Sequence, residues 1–122
     1  MFADKPAERM LFEAFVKTIS GIYPEMVIKV QKSQIAFCGE KPFCWVWLPI
    51  RSGIKGRPAH YIILSFGLNR EISHPRLVGT TEAYPGRWTH HAIISRMEEI
   101  DEELLRWIDE AYDWKNPRGA KG

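Results

Sequence analysis

The chain has 122 residues, of which 45% are hydrophobic and 26% charged, and its formal net charge is +2. This composition excludes a disordered chain, and no run of about eighteen apolar residues offers a membrane span. A chain of this length has room for one hydrophobic core, which predicts a single domain over 1–122 with flexible segments at 1–6 and 115–122. The first ten residues, MFADKPAERM, lack the apolar run of a signal peptide, so we expect a cytoplasmic protein.

Two amphipathic helices are predicted, one near each end of the chain. The first covers roughly residues 7–20, begins after Pro6 and ends before Gly21, and its apolar stripe is Phe12, Phe15, Val16 and Ile19. The second covers MEEIDEELLRWIDEAY, with Ser95 and Glu98 forming a capping box at its start. Its apolar stripe is Ile100, Leu104, Trp107, Ile108 and Ala111.

About five strands are predicted between these helices. They are MVIKVQ (26–31), QIAF (34–37), FCWVW (43–47), YIILSFGL (61–68) and the segment 88–94. The large apolar residues change from even to odd positions between the first two, which requires a bulge or turn near 31–33, and residues 39–42 have the composition of a hairpin turn. The order of elements predicts an α+β fold, in which an antiparallel sheet carries both helices on one face as a two-layer sandwich.

Two long connections interrupt the strands. The first is the polar segment RSGIKGRPAH (51–60). The second covers residues 68–87 and contains the breakers Pro75, Pro85 and Gly86, with a short helical turn expected around 74–78. Loops of this length are usually functional or cover another surface.

Alternation along the central strands predicts two different faces of the sheet. The helices are expected to cover an aliphatic face made of Ile35, Phe37, Cys44, Val46, Leu48, Ile62, Leu64 and Phe66. The opposite face would collect Phe43, Trp45, Trp47, Tyr61, Ile63 and Ser65, continued by Trp88 and His90. Such an apolar face needs the loop 68–87, a second subunit or a ligand to cover it. Because both faces are apolar, alternation alone does not decide which one the helices cover.

Charge is distributed unevenly along the chain. Residues 96–113 have a net charge of −6, whereas residues 51–91 have a net charge of +4 and contain all four histidines. A basic stretch of this kind attracts anions, unless the acidic helix neutralises it.

The stretch YPGRWTHH (84–91) contains two adjacent histidines. Neighbouring side chains of a strand point to opposite faces, so His90 and His91 cannot ligate one metal ion together. Either could act as a general base while Arg70, Arg76 or Arg87 stabilises an oxyanion. No nucleophile elbow, P-loop, GxGxxG or paired-carboxylate motif accompanies them, and a buried, hydrogen-bonded histidine is the alternative.

The two cysteines, Cys38 and Cys44, are too few for a disulfide framework and are expected to be reduced thiols. Thiolates and imidazoles suit zinc, but the spacing of the cysteines and histidines matches no established ligand pattern. We therefore predict no metal and no cofactor.

Five stretches carry a resemblance to a known family: KSQIAF (32–37), FCWVW (43–47), FGL (66–68), YPGRWTHH (84–91) and IDEELLRWIDEAY (100–112). Through them the chain resembles an uncharacterised bacterial domain family of unknown function and, more loosely, the two-layer α+β folds of the YdhG-like group of small bacterial proteins. The resemblance implies a fold type and a bacterial cytoplasmic setting, and it supplies no reaction. Its motif residues are Lys32, Ser33, Gln34, Arg87, Trp88, His90 and His91.

The leading hypothesis is a non-catalytic binding module for an anionic ligand or a protein partner. Its candidate site residues are Trp45, Trp47, Tyr61, Arg76, Arg87, Trp88, His90 and His91, with Lys32 and Gln34 from the KSQ motif. Nucleic acid could be held by aromatic stacking and arginine contacts, but the near-neutral net charge argues against it. The alternatives are a small enzyme that acts on an anionic metabolite through His90 or His91 and Arg87, and a structural homodimer joined through the aromatic face.

Overall fold

The structure, a computed structural model, describes residues 5–48 and 58–116. The predicted α+β fold is confirmed, with two helices and six strands instead of about five. In chain order the elements are α1 (Pro6–Ile22), β1 (Val27–Val30), β2 (Ile35–Cys38), β3 (Pro42–Trp47), β4 (Ile62–Leu68), β5 (Leu77–Tyr84), β6 (Arg87–Ile94), a 3-10 turn (Met97–Glu99) and α2 (Glu102–Lys115). Most of the predicted loop 51–60 lies outside the described residues.

The six strands form one antiparallel sheet in the order β1-β2-β3-β4-β6-β5. Both helices pack on the same face of the sheet, α2 across β3 and β4, and α1 through contacts such as the Phe15 ring edge on the Phe37 ring, 5.3 Å between centroids. The core between the two layers includes Phe15 and Ile19 of α1, Leu104 and Ile108 of α2, and Phe37, Val46, Leu64 and Phe66 of the sheet.

The helix α1 follows its sequence signals. Pro6 occupies the first turn, where the missing N–H costs no hydrogen bond, and Leu11, Phe15 and Ile19 are buried at helical spacing. The predicted helix is confirmed, but it runs through Gly21 to Ile22 instead of ending before Gly21, and Phe12 and Val16 are only partly buried.

The start of α2 differs from the prediction. Glu99, not Glu98, accepts hydrogen bonds from the backbone N–H groups of Ser95 (2.7 Å) and Arg96 (3.1 Å), and this closes the 3-10 turn. The helix itself begins after Asp101, whose side chain accepts from the N–H of Leu104 at 3.1 Å. The predicted capping box of Ser95 and Glu98 was wrong because the 3-10 turn lies between β6 and α2, so the helix does not begin after Ser95.

The C-terminal end of α2 is attached to the β2–β3 turn. Asn116 Oδ1 accepts from the Lys41 N–H at 2.7 Å, and Asn116 Nδ2 donates to the Lys41 carbonyl at 3.2 Å. A Cβ atom on Gly39 would lie 2.9 Å from Asn116 Cγ, so this close approach requires a glycine.

The predicted long loop 68–87 contains a strand that the sequence did not predict. Residues 77–84 form β5, which pairs with β6 through a two-residue turn, Pro85-Gly86, where Gly86 has a φ of 78°. Residues 69–76 lie against α2, to which ion pairs of Arg70 and Arg76 join them. The helical turn expected around 74–78 is absent from these described residues, and a single tight turn, in which the His74 carbonyl accepts from the Leu77 N–H, leads into β5. The segment therefore does not cover the face of the sheet opposite the helices.

The strand β1 is an exposed edge of the sheet. All four of its residues are exposed, and Val27 and Val30 have 52% and 76% of their surface accessible. Lys29 is its single charged residue.

Register corrects the predicted faces at three positions. In β6, Trp88 pairs with Leu68 and His90 pairs with Phe66, and both partners belong to the core under the helices. Directly paired residues share a face, so Trp88 and His90 lie on the helix side. A β-bulge leaves Phe43 unpaired in β3, and its ring packs on Tyr23 and Tyr112, also on the helix side.

Candidate functional site

The face of the sheet away from the helices, called the open face below, brings together part of the predicted site. Pairing places Trp45 opposite Ser65 and Ser65 opposite His91, so these three side chains share this face. Trp45, Trp47 and His91 are half-buried, whereas Ile63 and Ser65 are buried. The open face is therefore not the broad exposed aromatic patch that alternation predicts.

A chain of hydrogen bonds crosses the open face from Trp47 to His91. Trp47 Nε1–H donates to Ser65 Oγ at 2.7 Å, and Ser65 Oγ lies 2.6 Å from His91 Nδ1. An indole N–H can only donate, so Ser65 Oγ accepts the hydrogen bond from Trp47. The Ser65 hydroxyl then donates its own hydrogen bond to His91 Nδ1, which gives the indole, the hydroxyl and the imidazole a partner each. The neutral imidazole of His91 then carries its proton on Nε2.

This arrangement positions His91 but gives no nucleophile. Burial lowers the pKa of His91, which keeps the imidazole neutral at pH 7. Ser65 is buried, and its hydroxyl is occupied on both sides by Trp47 and His91. A substrate therefore has no access to Ser65 Oγ, and the group that remains for a ligand is the His91 Nε2–H, a hydrogen-bond donor.

A basic and aromatic cluster lies at the end of the sheet where β6 begins. The Trp114 ring has the Arg87 guanidinium 5.9 Å from its centroid and the Lys115 ammonium 4.5 Å from it, and the same guanidinium is 5.8 Å from the Tyr84 ring. We call these four residues the Trp114 cluster.

The Trp114 indole lies next to Gly67 of β4. A Cβ atom on Gly67 would lie 3.5 Å from Trp114 Cζ3. Gly67 pairs with Thr89 and alternates with the buried core residue Leu68, so its vacant side-chain position faces the open face. The cluster is thus continuous with the open face along β4 and β6.

The Trp114 cluster has an excess of positive charge. Burial and the nearby charges of Arg87 and Lys41 lower the pKa of Lys115. Within 5–48 and 58–116, neither Arg87 nor Lys115 forms an ion pair with a carboxylate. The open-face positions of the described strands include Lys29 and Arg87 and no carboxylate.

His90 is a buried structural residue. Its Nε2 accepts from the Ile72 N–H at 2.9 Å, and its ring stacks on Phe66 at 5.3 Å between centroids. Burial lowers its pKa, opposed in part by the Phe66 backbone and by Glu71. Its Nδ1 is buried without a hydrogen bond of good geometry to any described residue. His90 is thus placed to hold the 69–76 segment, not to meet a substrate.

The acidic helix α2 neutralises two of the arginines considered as anion clamps. Arg70 Nε and Nη2 both lie 2.8 Å from the Glu110 carboxylate. Arg76 Nη1 lies 2.8 Å from Asp101 Oδ1, and Nη2 donates to the Glu99 carbonyl at 2.6 Å. Both arginines fasten the segment 69–76 to α2 and are not brought together with Trp45, Trp47 or His91.

Other predicted site residues lie apart from the Trp114 cluster. Lys32 and Gln34 are in the β1–β2 turn, at the end of the sheet opposite Arg87, and the Gln34 amide donates to Gln31 Oε1 at 2.9 Å. Tyr61 is buried just before β4. Sequence reasoning did not identify Ser65, Trp114 and Lys115 as site residues. Trp114 and Lys115 could have been noticed as an aromatic residue beside a basic one, just beyond the apolar stripe of α2.

Metal-ligating residues do not converge in the part of the chain that the structure describes. Within those ranges no three side chains of His, Cys, Asp or Glu could share a metal ion. Burial, together with the nearby Cys38, raises the pKa of Cys44, and both cysteines are buried free thiols. No helix in the described ranges has the length and hydropathy needed to cross a bilayer.

A family model described as a domain of unknown function (DUF5655) matches residues 1–115. The chain belongs to this family. Comparison of this DUF5655 chain with curated proteins found no match, and comparison with solved structures also found none.

Proposed function

We propose that this protein is a non-catalytic binding module for an anionic ligand, held by Arg87 and Lys115 beside Trp114. The observation that supports it is the placement of two cations against one indole, with no described carboxylate paired to either. Other arginines in the same half of the chain, such as Arg70 and Arg76, are neutralised by α2.

The electrostatics of the cluster favour an added negative charge. Contact with the indole face offsets only part of the cost of bringing two cations together. The lowered pKa of Lys115 reflects this mutual repulsion in addition to burial. An anion between the two groups would accept charge-assisted hydrogen bonds from both and remove the repulsion.

The open face supplies an apolar surface next to this charge. Half-buried Trp45 and Trp47 lie on the same face as Thr89 and Arg87, and the strand positions between them hold no carboxylate. We therefore expect the ligand to combine an anionic group with an apolar or planar part.

Pyrophosphate titration followed by the indole N–H signals in NMR spectra tests the anion site directly. The chain has five tryptophans, so each indole can be assigned by substitution. We expect a saturable shift of the Trp114 signal that weakens as ionic strength rises. Arg87→Gln and Lys115→Gln should each abolish saturation.

Lys17→Gln is the matched control, because Lys17 is an exposed lysine on α1 and its replacement removes the same charge. If Lys17→Gln weakens the titration as much as Lys115→Gln, net charge and not the cluster is responsible. An unsaturable titration of the unmodified protein would sink the proposal.

A second candidate function is a small enzyme that acts on an anionic metabolite through His91. The observation in its favour is the imidazole oriented by Ser65, neutral at pH 7, whose Nε2–H can donate a hydrogen bond to a substrate. Any turnover found by screening anionic metabolites should be lost in His91→Ala and kept in His74→Ala. Equal turnover in the two variants would rule out this role for His91.

The aromatic face gains no support as a dimer interface. Ile63 and Ser65 of β4, on that face, and Tyr61 just before β4 are buried within the single chain.

A further inference from the structure

A second concave site lies at the C-terminal end of α1, beside the β2–β3 turn. The cavity measures about 520 Å³, within the range of small-molecule sites. It is lined by the chain that leaves α1 (Ile22 to Met26), by Gly39 and Glu40 of the β2–β3 turn, and by Tyr112 of α2.

Aromatic rings form one wall of this cavity. Tyr23 and Tyr112 stack at 4.4 Å between centroids, and both pack on the Phe43 ring, at 5.3 and 4.9 Å. The Tyr23 hydroxyl donates to Asp109 Oδ1 at 2.6 Å, which fixes its ring and places a further carboxylate behind the wall. The cavity therefore has a rigid, electron-rich surface.

The charged residues described in the lining of the cavity are negative. Two of its lining residues, Glu25 and Glu40, are exposed carboxylates, and among the described residues that line it there is no lysine, arginine or histidine. The C-terminal end of a helix adds partial negative charge, and the last turn of α1 contains no basic residue to offset it.

From the cavity, its aromatic wall and its negative rim together, we propose that this site binds an organic cation, an alkylammonium or guanidinium group. Cations of this kind are attracted to aromatic faces and to carboxylates at once. A simple metal ion is not favoured, because the two carboxylates are exposed and the wall is aromatic and not made of oxygen ligands. The site is opposite in charge to the Trp114 cluster, and neither depends on the other.

Choline and its neutral carbon isostere, 3,3-dimethylbutan-1-ol, are the probes that isolate the charge. Titration of the full chain, followed by backbone NMR signals, should show saturable shifts at residues 22–26, 39 and 40 for choline, with a Kd of about 1 mM. The isostere should bind at least about tenfold more weakly, since it fills the same volume without the charge.

Glu25→Gln and Glu40→Gln should each weaken choline binding about fivefold. Glu98→Gln is the matched control, because Glu98 is an exposed glutamate outside this cavity and its replacement should leave binding unchanged. The three substitutions are at exposed positions and should leave the core intact. The same NMR spectra will show whether each variant is folded.

Equal binding of choline and the isostere would overturn the proposal, since it would show an apolar pocket without charge recognition. Absence of saturable shifts at these residues, or equal weakening by Glu98→Gln, would overturn it as well. Failure of the pyrophosphate titration at Trp114 has no bearing on this result, because the two sites use different residues.

Discussion

His90 and His91 are adjacent in sequence, but their imidazoles lie on opposite faces of the sheet and make different hydrogen bonds. His90 Nε2 accepts from the Ile72 N–H on the helix side, whereas His91 Nδ1 meets Ser65 Oγ on the open face. The first histidine holds the connection between β4 and β5, and the second is oriented towards the candidate ligand surface.

The first prediction concerns pH and His90. Its folded-state pKa lies below the ordinary value of 6.5 because burial disfavours the charged imidazole. The unfolded chain therefore binds more protons below about pH 6.5, and stability falls as pH falls below that value and is level above it. His91 contributes in the same direction. The expected loss is up to about 1.4 kcal/mol per pH unit for each proton taken up.

Urea denaturation between about pH 5 and pH 8 measures this dependence. His90→Gln should give a shallower slope than the unmodified protein. A slope that is the same in His90→Gln would contradict the assignment.

The second prediction concerns Ser65. Ser65→Ala removes the group that links Trp47 to His91 and leaves an indole N–H and an imidazole nitrogen without their partner. We expect a loss of about 1–3 kcal/mol in the free energy of unfolding. Ser73→Ala, an exposed serine in the β4–β5 connection, should change it by less than about 0.5 kcal/mol. If Ser65→Ala and Ser73→Ala lower the free energy of unfolding equally, the hydrogen bonds from Trp47 through Ser65 to His91 do not contribute to stability.

The third prediction compares two arginines that both bind α2. The Arg76 side chain is 19% exposed and also donates to the Glu99 carbonyl, whereas the Arg70 side chain is 56% exposed and pairs with Glu110. Exposed ion pairs contribute about 0–1 kcal/mol, and the part-buried Glu99 carbonyl left without its donor adds to the cost. Arg76→Gln should therefore lower the urea midpoint more than Arg70→Gln. The reverse order would show that exposure does not determine the contribution of these pairs.

The fourth prediction uses two glycines in opposite settings. Gly21 lies in α1 with open space around its Cα, so Gly21→Ala should stabilise the protein by about 1 kcal/mol. A Cβ atom on Gly39 would lie 2.9 Å from Asn116 Cγ, so Gly39→Ala should displace Asn116 and destabilise the protein by about 1–3 kcal/mol. Thermal unfolding distinguishes the two, and a stabilised Gly39→Ala would show that Asn116 does not hold the end of α2.

Much of the fold could be predicted because local patterns agreed with burial. The spacing of Phe15 and Ile19 indicated a helix, and the apolar run of β4 indicated a strand. The strand β5 was missed because LVGTTEAY is an exposed edge strand with few large apolar residues, and pairing with β6, not its own hydrophobicity, makes it a strand.

The candidate site was predicted only in part because register decides which side chains meet. Alternation showed that His90 and His91 face opposite ways, but assigning each to a face needed the pairing of His90 with Phe66. The bulge at Phe43 reversed another position, and no local pattern indicates it. The contact of Trp114 with Gly67 joins two residues far apart in sequence, so it depends on how α2 crosses the sheet.

The exposed edge strand β1 affects how the protein behaves at high concentration. Its outer backbone N–H and C=O groups can template another strand, and the side chains of Val27, Ile28 and Val30 are exposed around them. Lys29 is the one charge in this strand, and its desolvation opposes edge-to-edge stacking of copies. We therefore expect an apolar residue at position 29 to make copies of the chain associate more readily through β1, although Lys29 contributes nothing to the core.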